Sequence, residues 1–279
     1  MHYGFITPNW GDYGDPRLLA ELAHEAEAAG WEGFFIWDHI KWPAQDPTAD
    51  PWVALAAMAM RTERIRLGTL VTALPRRRPW KLARETLTLD HLSGGRLILG
   101  VGLGYFTNEE FAAFGEETDA KIRAAKLDEG LDVLTGLWSG EPFSYDGTQY
   151  QVKNVCFTPP PVQQPRIPIW VAGTWPIKAP FRRAARWDGV FPIGQDFEKP
   201  LTPAEIRDIA AYIKEHRVST EPFEIVRGGQ TLGRDAAEDA AIVVPYAEAG
   251  LTWWLEARLP WLSSLAEVRE RIRKGPPRV

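Results

Sequence analysis

The stretch PWKLARETLTLDHLSGGRLILGVGLG, residues 79–104, contains a complete helix-to-strand unit and sets the pattern for the whole chain. Pro79 is typical of the first position of a helix, and Gly94-Gly95 is typical of a helix end. Between them, residues expected to face inward recur at helical spacing, at Leu82, Thr86 and Leu89. The apolar run Arg96–Val101 follows at once and predicts a strand that is buried on both faces.

The same unit recurs along the chain, and eight apolar runs predict eight strands. They are His2–Ile6, Gly33–Trp37, Ile65–Val71, Arg96–Val101, Pro168–Ala172, Gly189–Pro192, Phe223–Arg227 and Leu251–Leu255. Helix-start signals lie between them, such as Asp15-Pro16 and the capping box Thr202-Pro203-Ala204-Glu205. Eight strands alternating with helices in 279 residues predict an α/β fold, a (β/α)8 TIM barrel, rather than an open doubly wound sheet.

A short segment interrupts this alternation after the fourth helix. Tyr145-Asp146-Gly147-Thr148 carries an Asp-Gly turn signal between two strand-like runs, which predicts a small β-hairpin. Prolines at 159–161 and 165 then lead back to the next strand. Since no repeat, low-complexity tract or linker occurs, we expect residues 1–279 to form a single domain with this insertion at about 140–165.

Composition and charge argue against several classes of protein. The chain has 32 Lys and Arg residues against 37 Asp and Glu, a net charge of −5, whereas nucleic-acid-binding domains normally carry a basic excess. Cys156 is the only cysteine, so no internal disulfide can form, and the first residues do not resemble a secretory signal. No apolar run approaches the ~18 residues of a membrane span. These features predict a cytoplasmic protein that binds neither nucleic acid nor membrane.

In a TIM barrel, the active face is built by the residues that follow the C-terminal ends of the strands. His39 follows the second predicted strand, where an imidazole can move a proton or donate a hydrogen bond. The neighbouring Asp38 is a candidate to orient it. The alternative is structural, with Asp38 capping a loop and His39 packing beneath it. We take Asp38 and His39 as the candidate catalytic residues.

Two glycine-containing strand ends are candidates for binding a cofactor. The run Gly100-Val101-Gly102-Leu103-Gly104 matches only half of a dinucleotide fingerprint, so Gly102 and Gly104 indicate instead a close backbone approach to a flat ligand or to the opposite loop. Gly173-Thr174 precedes a predicted helix, whose N-terminus suits a phosphate. Arg76-Arg77-Arg78 follows the third strand, where a solvated role and the neutralisation of an acidic ligand are both open.

Tryptophan is abundant, at 13 of 279 residues. Several of these indoles follow or end strands on the predicted active face, where aromatic side chains suit a flat ligand. The aromatic residues expected around the ligands are Trp10, Trp37, Trp42, Tyr105, Trp175 and Trp253. No histidine or cysteine cluster with metal-ligand spacing occurs, so no metal site is predicted. A Gly-x-Ser-x-Gly elbow is also absent, which argues against a serine hydrolase.

Several blocks of the sequence resemble one known family. The most specific block is Leu92-Ser93-Gly94-Gly95-Arg96-Leu97, within Leu89–Gly104. Supporting segments are Gly30-Trp31-Glu32-Gly33, Trp37-Asp38-His39, Trp52–Met58, Arg64–Thr69, Leu137-Trp138-Ser139-Gly140 and Ala184–Gly189. Over nearly its whole length, the chain is similar to the luciferase-like monooxygenase superfamily, which consists of flavin- or deazaflavin-dependent barrels.

The resemblance implies roles for particular residues. A non-prolyl cis peptide in the third strand, here at Leu70-Val71, would support the ring system of the cofactor from behind. The phosphate site of the family maps to Gly173-Thr174, and its Asp-His pair maps to Asp38-His39. In deazaflavin sugar-phosphate dehydrogenases of the family this histidine is catalytic, and a glutamate follows the strand-four glycines. Tyr105 stands at that position here, so the sequence departs from those dehydrogenases.

The function implied by the resemblance is oxidation or reduction of a small organic substrate at the C-terminal mouth of the barrel. FMN is the first candidate cofactor and coenzyme F420 the alternative, with oxygen insertion or hydride transfer as the reaction. A non-catalytic flavin-binding barrel is a second hypothesis. A third is a phosphate-handling isomerase or aldolase, for which Lys41 and Glu256 lie near strand ends. The partners that the family implies are a separate flavin or F420 reductase and a second copy in a homodimer.

Overall fold

Eight parallel strands close into a barrel in the computed structural model, which describes residues 1–41, 46–196, 199–258, 261 and 263–277. Within these residues the strands are β1 (His2–Thr7), β2 (Gly33–Ile36), β3 (Arg66–Ala73), β4 (Leu97–Gly102), β5 (Phe143–Asp146), β6 (Gln151–Val155), β7 (Ile169–Thr174), β8 (Gly189–Ile193), β9 (Glu224–Gly229) and β10 (Trp253–Ala257). The helices are α1 (Pro16–Ala28), α2 (Pro51–Arg61), α3 (Pro79–Ser93), α4 (Thr107–Glu110), α5 (Ala120–Trp138), α6 (Lys178–Ala184), α7 (Pro203–His216), α8 (Ala236–Glu248) and α9 (Leu265–Arg273). The predicted (β/α)8 barrel is confirmed.

The barrel strands pair in the order β1-β2-β3-β4-β7-β8-β9-β10, and β10 closes the ring by pairing with β1. All of these pairs are parallel, so every C-terminal strand end lies at the same end of the barrel. We name this end the mouth and the opposite end the floor. Because the residues that follow each strand lie at the mouth, side chains far apart in sequence converge there.

Local capping signals place helix starts where the sequence predicts them. Asp15, Asp50 and Asp119 each accept hydrogen bonds from backbone N–H groups in the first turn of the next helix. Thr202 and Ser264 do the same in capping boxes that a glutamate completes three residues later. These bonds satisfy donors that have no partner within the helix, so one side chain sets the position at which each helix begins.

The predicted hairpin is present as β5 and β6, which pair antiparallel in a separate two-stranded sheet. Glu129 of α5 attaches its turn, because the Glu129 carboxylate accepts hydrogen bonds from the backbone N–H groups of residues 148–150. The hairpin is therefore an addition that packs beside α5 and contributes no strand to the barrel.

Successive strand residues point to opposite sides of the barrel wall, and the described residues form two apolar cores on these sides. Outward-facing residues such as Phe34 pack against the helices in the larger core. Inward-facing residues fill the barrel with a second core that consists of Ile6, Phe35, Leu70, Ile98, Trp170, Val226, Trp253 and Leu255. At the mouth several inward-facing residues are small, with Gly102 beside Ala172 and Gly228 beside Ala257.

Candidate active site

His39 lies at the mouth, three residues after the end of β2, and Asn9 holds its main chain from two directions. The His39 N–H donates to Oδ1 of Asn9 at 3.2 Å, and Nδ2 of Asn9 donates to the His39 carbonyl at 2.7 Å. The same Asn9 nitrogen donates to the carbonyl of Ala49 at 2.7 Å, and Asn9 is fully buried. Asn9 thereby fixes the backbone of His39, whose side chain is 16% exposed and accessible to a ligand.

A carboxylate that the sequence analysis did not identify is hydrogen-bonded to the His39 ring. Glu110 places Oε2 3.1 Å from Nδ1 of His39, and its side chain is 1% exposed. The N–H of Ile40 donates to Oε1 of Glu110 at 2.8 Å, and Nη1 of Arg76 donates to Oε2 at 2.9 Å. Glu110 ends a helix of four residues, which is too short for a periodic signal. Only the acidic pair Glu109-Glu110 after the strand-four glycines could have pointed to it.

The Glu110 carboxylate determines which nitrogen of His39 can exchange a proton. Burial alone would raise the pKa of Glu110, but the hydrogen bond from His39 and the charge of Arg76 hold that pKa below its ordinary value. Glu110 is therefore ionised at neutral pH and accepts the Nδ1 proton of His39. This bond selects the tautomer of the neutral imidazole in which Nε2 carries the lone pair. Nε2 is then the ring atom that can accept a proton.

Asp38 binds two arginines rather than the His39 ring. Its carboxylate accepts from Nη2 of Arg76 at 2.9 Å and from Nε and Nη2 of Arg77 at 3.1 and 2.6 Å. Burial would raise the pKa of Asp38, but the charges of Arg77 and Arg76 lower it below its ordinary value. Neighbours in an extended segment point to opposite sides, which separates the Asp38 and His39 side chains. The expectation that Asp38 orients His39 is corrected, because Glu110 holds the ring and Asp38 holds the arginines.

The three consecutive arginines after β3 divide between two environments. The side chains of Arg76 and Arg77 are largely buried, with exposures of 3% and 16%. Arg76 links the two carboxylates, since it donates to both Asp38 and Glu110. Arg78 is exposed at the start of α3. Arg76 and Arg77 are therefore already neutralised, and an acidic ligand would have to break these bonds to pair with them.

Small side chains lie together at the mouth between β3, β4 and β7. The peptide bond Leu70-Val71 is cis, as the family resemblance implies, and Leu70 belongs to the barrel core. A Cβ at Gly102 would lie 2.8 Å from Cγ2 of Val71 and 3.5 Å from Cβ of Ala172. Glycine at 102 therefore lets Val71 lie close against β4. A Cβ at Gly228, across the mouth, would meet only Ala257 within 4 Å, so small residues leave room for a planar group. These residues fit the flavin or deazaflavin ring that the family implies.

At two of the predicted cofactor-binding glycines, neighbouring residues occupy the space that any larger side chain would need. Gly104 has a φ of +84°, and a Cβ there would lie 2.6 Å from the ring of Phe111. Gly173 faces α6, where a Cβ would lie 2.5 Å from Cβ of Pro180. Both glycines are thus required for close packing within the protein, and only their backbone atoms can contact a ligand. Their roles in cofactor binding stay predictions.

Trp175 faces the helix layer rather than the mouth, which corrects its predicted position. Its indole packs on Phe181 and Tyr212 at centroid distances of 4.9 and 6.2 Å, and Nζ of Lys178 lies 3.5 Å above it. The chain turns outward here because side chains alternate across the barrel wall. Helix α6 begins at Lys178, and its first turn packs against the predicted phosphate site, because Pro180 lies beside Gly173. Thr174, half-buried at the end of β7, is the member of that site whose side chain remains on the inward side.

Aromatic rings surround His39. The ring centroids of Trp37 and Phe106 lie 5.7 and 5.3 Å from that of His39. Tyr105 lies 5.1 Å from Phe106. Trp37 and Tyr105 were expected in the pocket, whereas Phe106 was not singled out from the sequence.

A second group of indoles continues from these rings. Trp10 is buried after β1, and its indole is nearly parallel to that of Trp261 at 6.4 Å. The indole of Trp261, which the sequence analysis did not single out, also lies 6.3 Å from that of Trp37. Trp42, which was predicted in the pocket, lies outside the described residues.

Trp253 lies at the floor of the barrel, at the opposite end from His39. β10 begins at Trp253, two residues later than predicted, and Trp253 is in register with His2 at the start of β1. Its indole stacks on the His2 ring at 4.8 Å and meets Trp170 at 5.4 Å. The prediction that Trp253 lines the substrate pocket is therefore wrong, because the first residue of a barrel strand lies far from the mouth. A cavity of about 780 Å³ opens at this floor, away from the end at which barrels carry their active sites.

The described residues contain neither a metal-binding cluster nor a membrane-spanning helix. No group of three or more His, Cys, Asp or Glu in them is placed to hold a metal ion. No helix in that part of the chain combines the length and the apolar character needed to cross a bilayer. The polar groups characterised at the mouth are an imidazole, two carboxylates and two guanidinium groups.

Comparison with known proteins agrees with this architecture. The family model for luciferase-like monooxygenases matches residues 1–276. An F420-dependent glucose-6-phosphate dehydrogenase of Microbacterium testaceum is 34% identical over an alignment of 166 positions, which covers 58% of this chain and 48% of that protein. An uncharacterised protein of Mycobacterium bovis is 31% identical over an alignment of 285 positions, which covers 91% of this chain and 94% of that protein. The chain spans about half the length of the F420-dependent dehydrogenases that it matches.

Solved structures share the fold. An F420-dependent secondary alcohol dehydrogenase in complex with an F420-acetone adduct has a TM-score of 0.81 at 16% identity, over 99% of this chain and 98% of that chain. A monooxygenase of Streptomyces bottropensis has a TM-score of 0.71 at 24% identity, over 99% and 84%. At these identities the likeness shows the fold alone. The match to the family model over nearly the whole chain shows that the protein belongs to the luciferase-like monooxygenase family.

Proposed function

We propose that this protein transfers a hydride between coenzyme F420 and a small alcohol or carbonyl compound, and that His39 moves the accompanying proton. The observation that carries the proposal is the hydrogen bond between Glu110 and His39 at the mouth. Oxidation of an alcohol releases a hydride from carbon and a proton from oxygen, and Nε2 of His39 can accept that proton. We place F420 ahead of FMN because relatives at 34% identity are named as F420-dependent dehydrogenases.

Different residues of the mouth bind the cofactor and move the proton. When bound, the deazaflavin supplies the carbon centre that accepts or gives up the hydride. Val71, Gly102 and Ala172, which lie together at the ends of β3, β4 and β7, would lie against its ring. His39 takes the proton of the substrate hydroxyl at Nε2 during oxidation and returns it during reduction.

The buried charges behind His39 are balanced. Glu110 stabilises the imidazolium that forms when Nε2 of His39 is protonated. Arg76 donates to the same Glu110 oxygen and so compensates part of its charge. Asp38 in turn binds Arg76 and Arg77, so two carboxylates face two guanidinium groups. The charges of Glu110, Asp38, Arg76 and Arg77 sum to zero, so a proton taken up at Nε2 of His39 adds one positive charge to the network.

Cofactor titration separates this proposal from its competitors. Isothermal calorimetry of the purified protein with F420 and with FMN is expected to give about tenfold or tighter binding of F420, a difference of about 1.4 kcal/mol. Tighter binding of FMN with oxygen consumption by the reduced complex would instead support a flavin monooxygenase. Tight flavin binding without turnover of any alcohol or carbonyl compound would support the non-catalytic barrel.

Substitution of the histidine tests the proton transfer. His39→Ala is expected to lower kcat/KM for hydride transfer by about 10²- to 10⁴-fold, because the proton acceptor is removed, and to leave F420 binding in place. His24→Ala is the matched control, since His24 is an exposed residue of α1. Undiminished turnover by His39→Ala would remove His39 from its proposed role.

The family resemblance also implies a separate flavin or F420 reductase and a homodimer, and both stay predictions. Sedimentation equilibrium of the purified protein measures its oligomeric state. The rate of turnover with and without an added F420 reductase shows whether such a partner is needed to sustain the reaction.

A further inference from the structure

Among the described residues, a continuous row of aromatic rings runs along one side of the mouth and includes the His39 ring. This aromatic wall consists of Trp10, Trp37, Tyr105, Phe106 and Trp261. The Trp261 centroid lies 6.4 Å from that of Trp10 and 6.3 Å from that of Trp37. Trp37 and Phe106 then meet the His39 ring at 5.7 and 5.3 Å. The proton acceptor is thus set within an aromatic surface.

The aromatic wall spans about half of the mouth and is partly open to solvent. Its residues follow β10, β1, β2 and β4, which are neighbours in the barrel with β3 between the last two. Tyr105 continues the wall from Phe106 at 5.1 Å and is 63% exposed, and Trp261 is 57% exposed. Large exposed aromatic side chains that adjoin a catalytic group are typical of a ligand-binding surface.

The arginines near the aromatic wall are already engaged by the protein. Arg76 and Arg77 bind the two buried carboxylates. Arg123 donates to two backbone carbonyls after β4 at 2.9 and 3.2 Å. Arg258, after β10, binds Glu256 at 3.1 Å. Drawing Arg76 or Arg77 toward an anionic substrate would leave a buried carboxylate without its partner, which is strongly unfavourable.

We infer that the substrate is an uncharged alcohol or carbonyl compound that carries a planar apolar ring. The ring stacks on the aromatic wall while the substrate oxygen lies at Nε2 of His39. This inference rests on the proposed hydride transfer and names its substrate class. A phosphate at this mouth would lose hydration without gaining a free guanidinium partner among the residues that the structure describes, so we expect the site to discriminate against sugar phosphates.

Matched probes test the substrate class without relying on turnover. Naphthalenemethanol, naphthyl phosphate and glucose 6-phosphate are titrated into the cofactor-free protein by isothermal calorimetry. Naphthalenemethanol is expected to bind about tenfold more tightly than the phosphate of the same ring, and glucose 6-phosphate is expected to give no binding heat. Tighter binding of either phosphate overturns the inference. Loss of that binding in Lys41→Ala would then assign it to Lys41, an exposed cation that follows β2.

Two variants test whether the probe binds at the aromatic wall. Tyr105→Ala and Phe106→Ala are each expected to weaken naphthalenemethanol binding by about three- to tenfold. Tyr145→Ala is the control, because Tyr145 lies on the hairpin strand β5 outside the barrel and its loss leaves probe binding unchanged. Thermal unfolding verifies that each variant is folded, and Tyr105 is exposed enough to be removed safely if Phe106→Ala unfolds. Unchanged probe binding in folded Tyr105→Ala overturns the inference.

The same measurements distinguish this inference from the proposed function. A protein that binds F420 and loses turnover in His39→Ala, yet prefers naphthyl phosphate, overturns the substrate class and leaves hydride transfer standing. A protein that binds naphthalenemethanol at the aromatic wall but binds neither F420 nor FMN overturns the hydride transfer and leaves the ring-binding surface standing.

Discussion

Replacement of the carboxylate on the His39 ring tests the proposed mechanism most directly. In the native protein, Oε2 of Glu110 accepts hydrogen bonds from His39 and Arg76, and Oε1 accepts one from the N–H of Ile40. Glu110→Gln keeps the size of the side chain but replaces one accepting oxygen with a donating NH2 group. Whichever way the amide is turned, at least one of these three donors then faces another donor.

Both orientations of the amide impair proton transfer by His39. If the NH2 group replaces Oε2, His39 must accept at Nδ1 and carry its proton on Nε2, so it cannot take the proton of the substrate. If the NH2 group replaces Oε1, the tautomer is kept, but the negative charge that stabilises the imidazolium is lost. We therefore expect kcat/KM to fall by about 10²- to 10⁴-fold, or about 3–5 kcal/mol in the transition-state free energy.

The assay compares kcat/KM for F420-dependent hydride transfer with the dissociation constant of F420 in the same variants. Glu110→Gln is expected to lower kcat/KM and to leave the dissociation constant within about twofold, because Glu110 contacts His39 rather than the cofactor surface. Glu109→Gln is the matched control, because the Glu109 side chain makes no hydrogen bond within the described part of the chain and its replacement should retain activity. A folded Glu110→Gln enzyme with kcat/KM within about threefold of the native value would refute the positioning role.

Three other measurements test the buried network and the cofactor surface. Arg76→Met removes the cation between two buried carboxylates, so the free energy of unfolding in urea should fall by about 3–5 kcal/mol. The control Arg78→Met, at an exposed position, should change it little. Equal stability of the two variants would contradict this prediction. Gly102→Val should displace Val71, since even a Cβ at 102 lies 2.8 Å from Cγ2 of Val71. Calorimetry should then show F420 affinity reduced by about tenfold or more in a folded barrel, and unaltered affinity would rule out the proposed cofactor surface. Folding lowers the pKa of Glu110 below its ordinary value of about 4.5. The ionised carboxylate therefore stabilises the folded protein at pH values above about 4.5. This stabilisation is lost as the pH falls through the lowered pKa of the folded state. Between about pH 6 and about pH 3, Glu110→Gln should therefore lose less stability in urea titrations than the native protein, and identical losses would argue against the lowered pKa.

The alternation of capped helices and buried strands could be predicted from the sequence because each signal is local. A cap such as Asp50 acts on N–H groups within one turn, and a buried strand such as Arg96–Val101 is visible as an apolar run. The family blocks were equally informative, since they indicated the cis bond at Leu70-Val71 and the position of His39 at the mouth. Each of these inferences needs only residues that are close together in the chain.

The direction of a side chain depends on strand bounds more finely than such patterns allow. The last barrel strand begins at Trp253 rather than at residue 251, and this difference places Trp253 at the floor. Trp175 follows a strand at the correct end of the barrel, but alternation across the wall turns its indole toward the helices. A shift of one or two residues thus decides whether an indole reaches the ligand.

The partners of His39 were decided by tertiary structure alone. Glu110 lies 71 residues from His39 in the chain, and Arg76 lies 34 residues from Glu110. Ion pairs and hydrogen bonds over such separations form only where the closed barrel brings different strand ends to one mouth. The sequence could therefore identify the histidine, but only the folded barrel could select Glu110 instead of the adjacent Asp38 as the carboxylate that orients it.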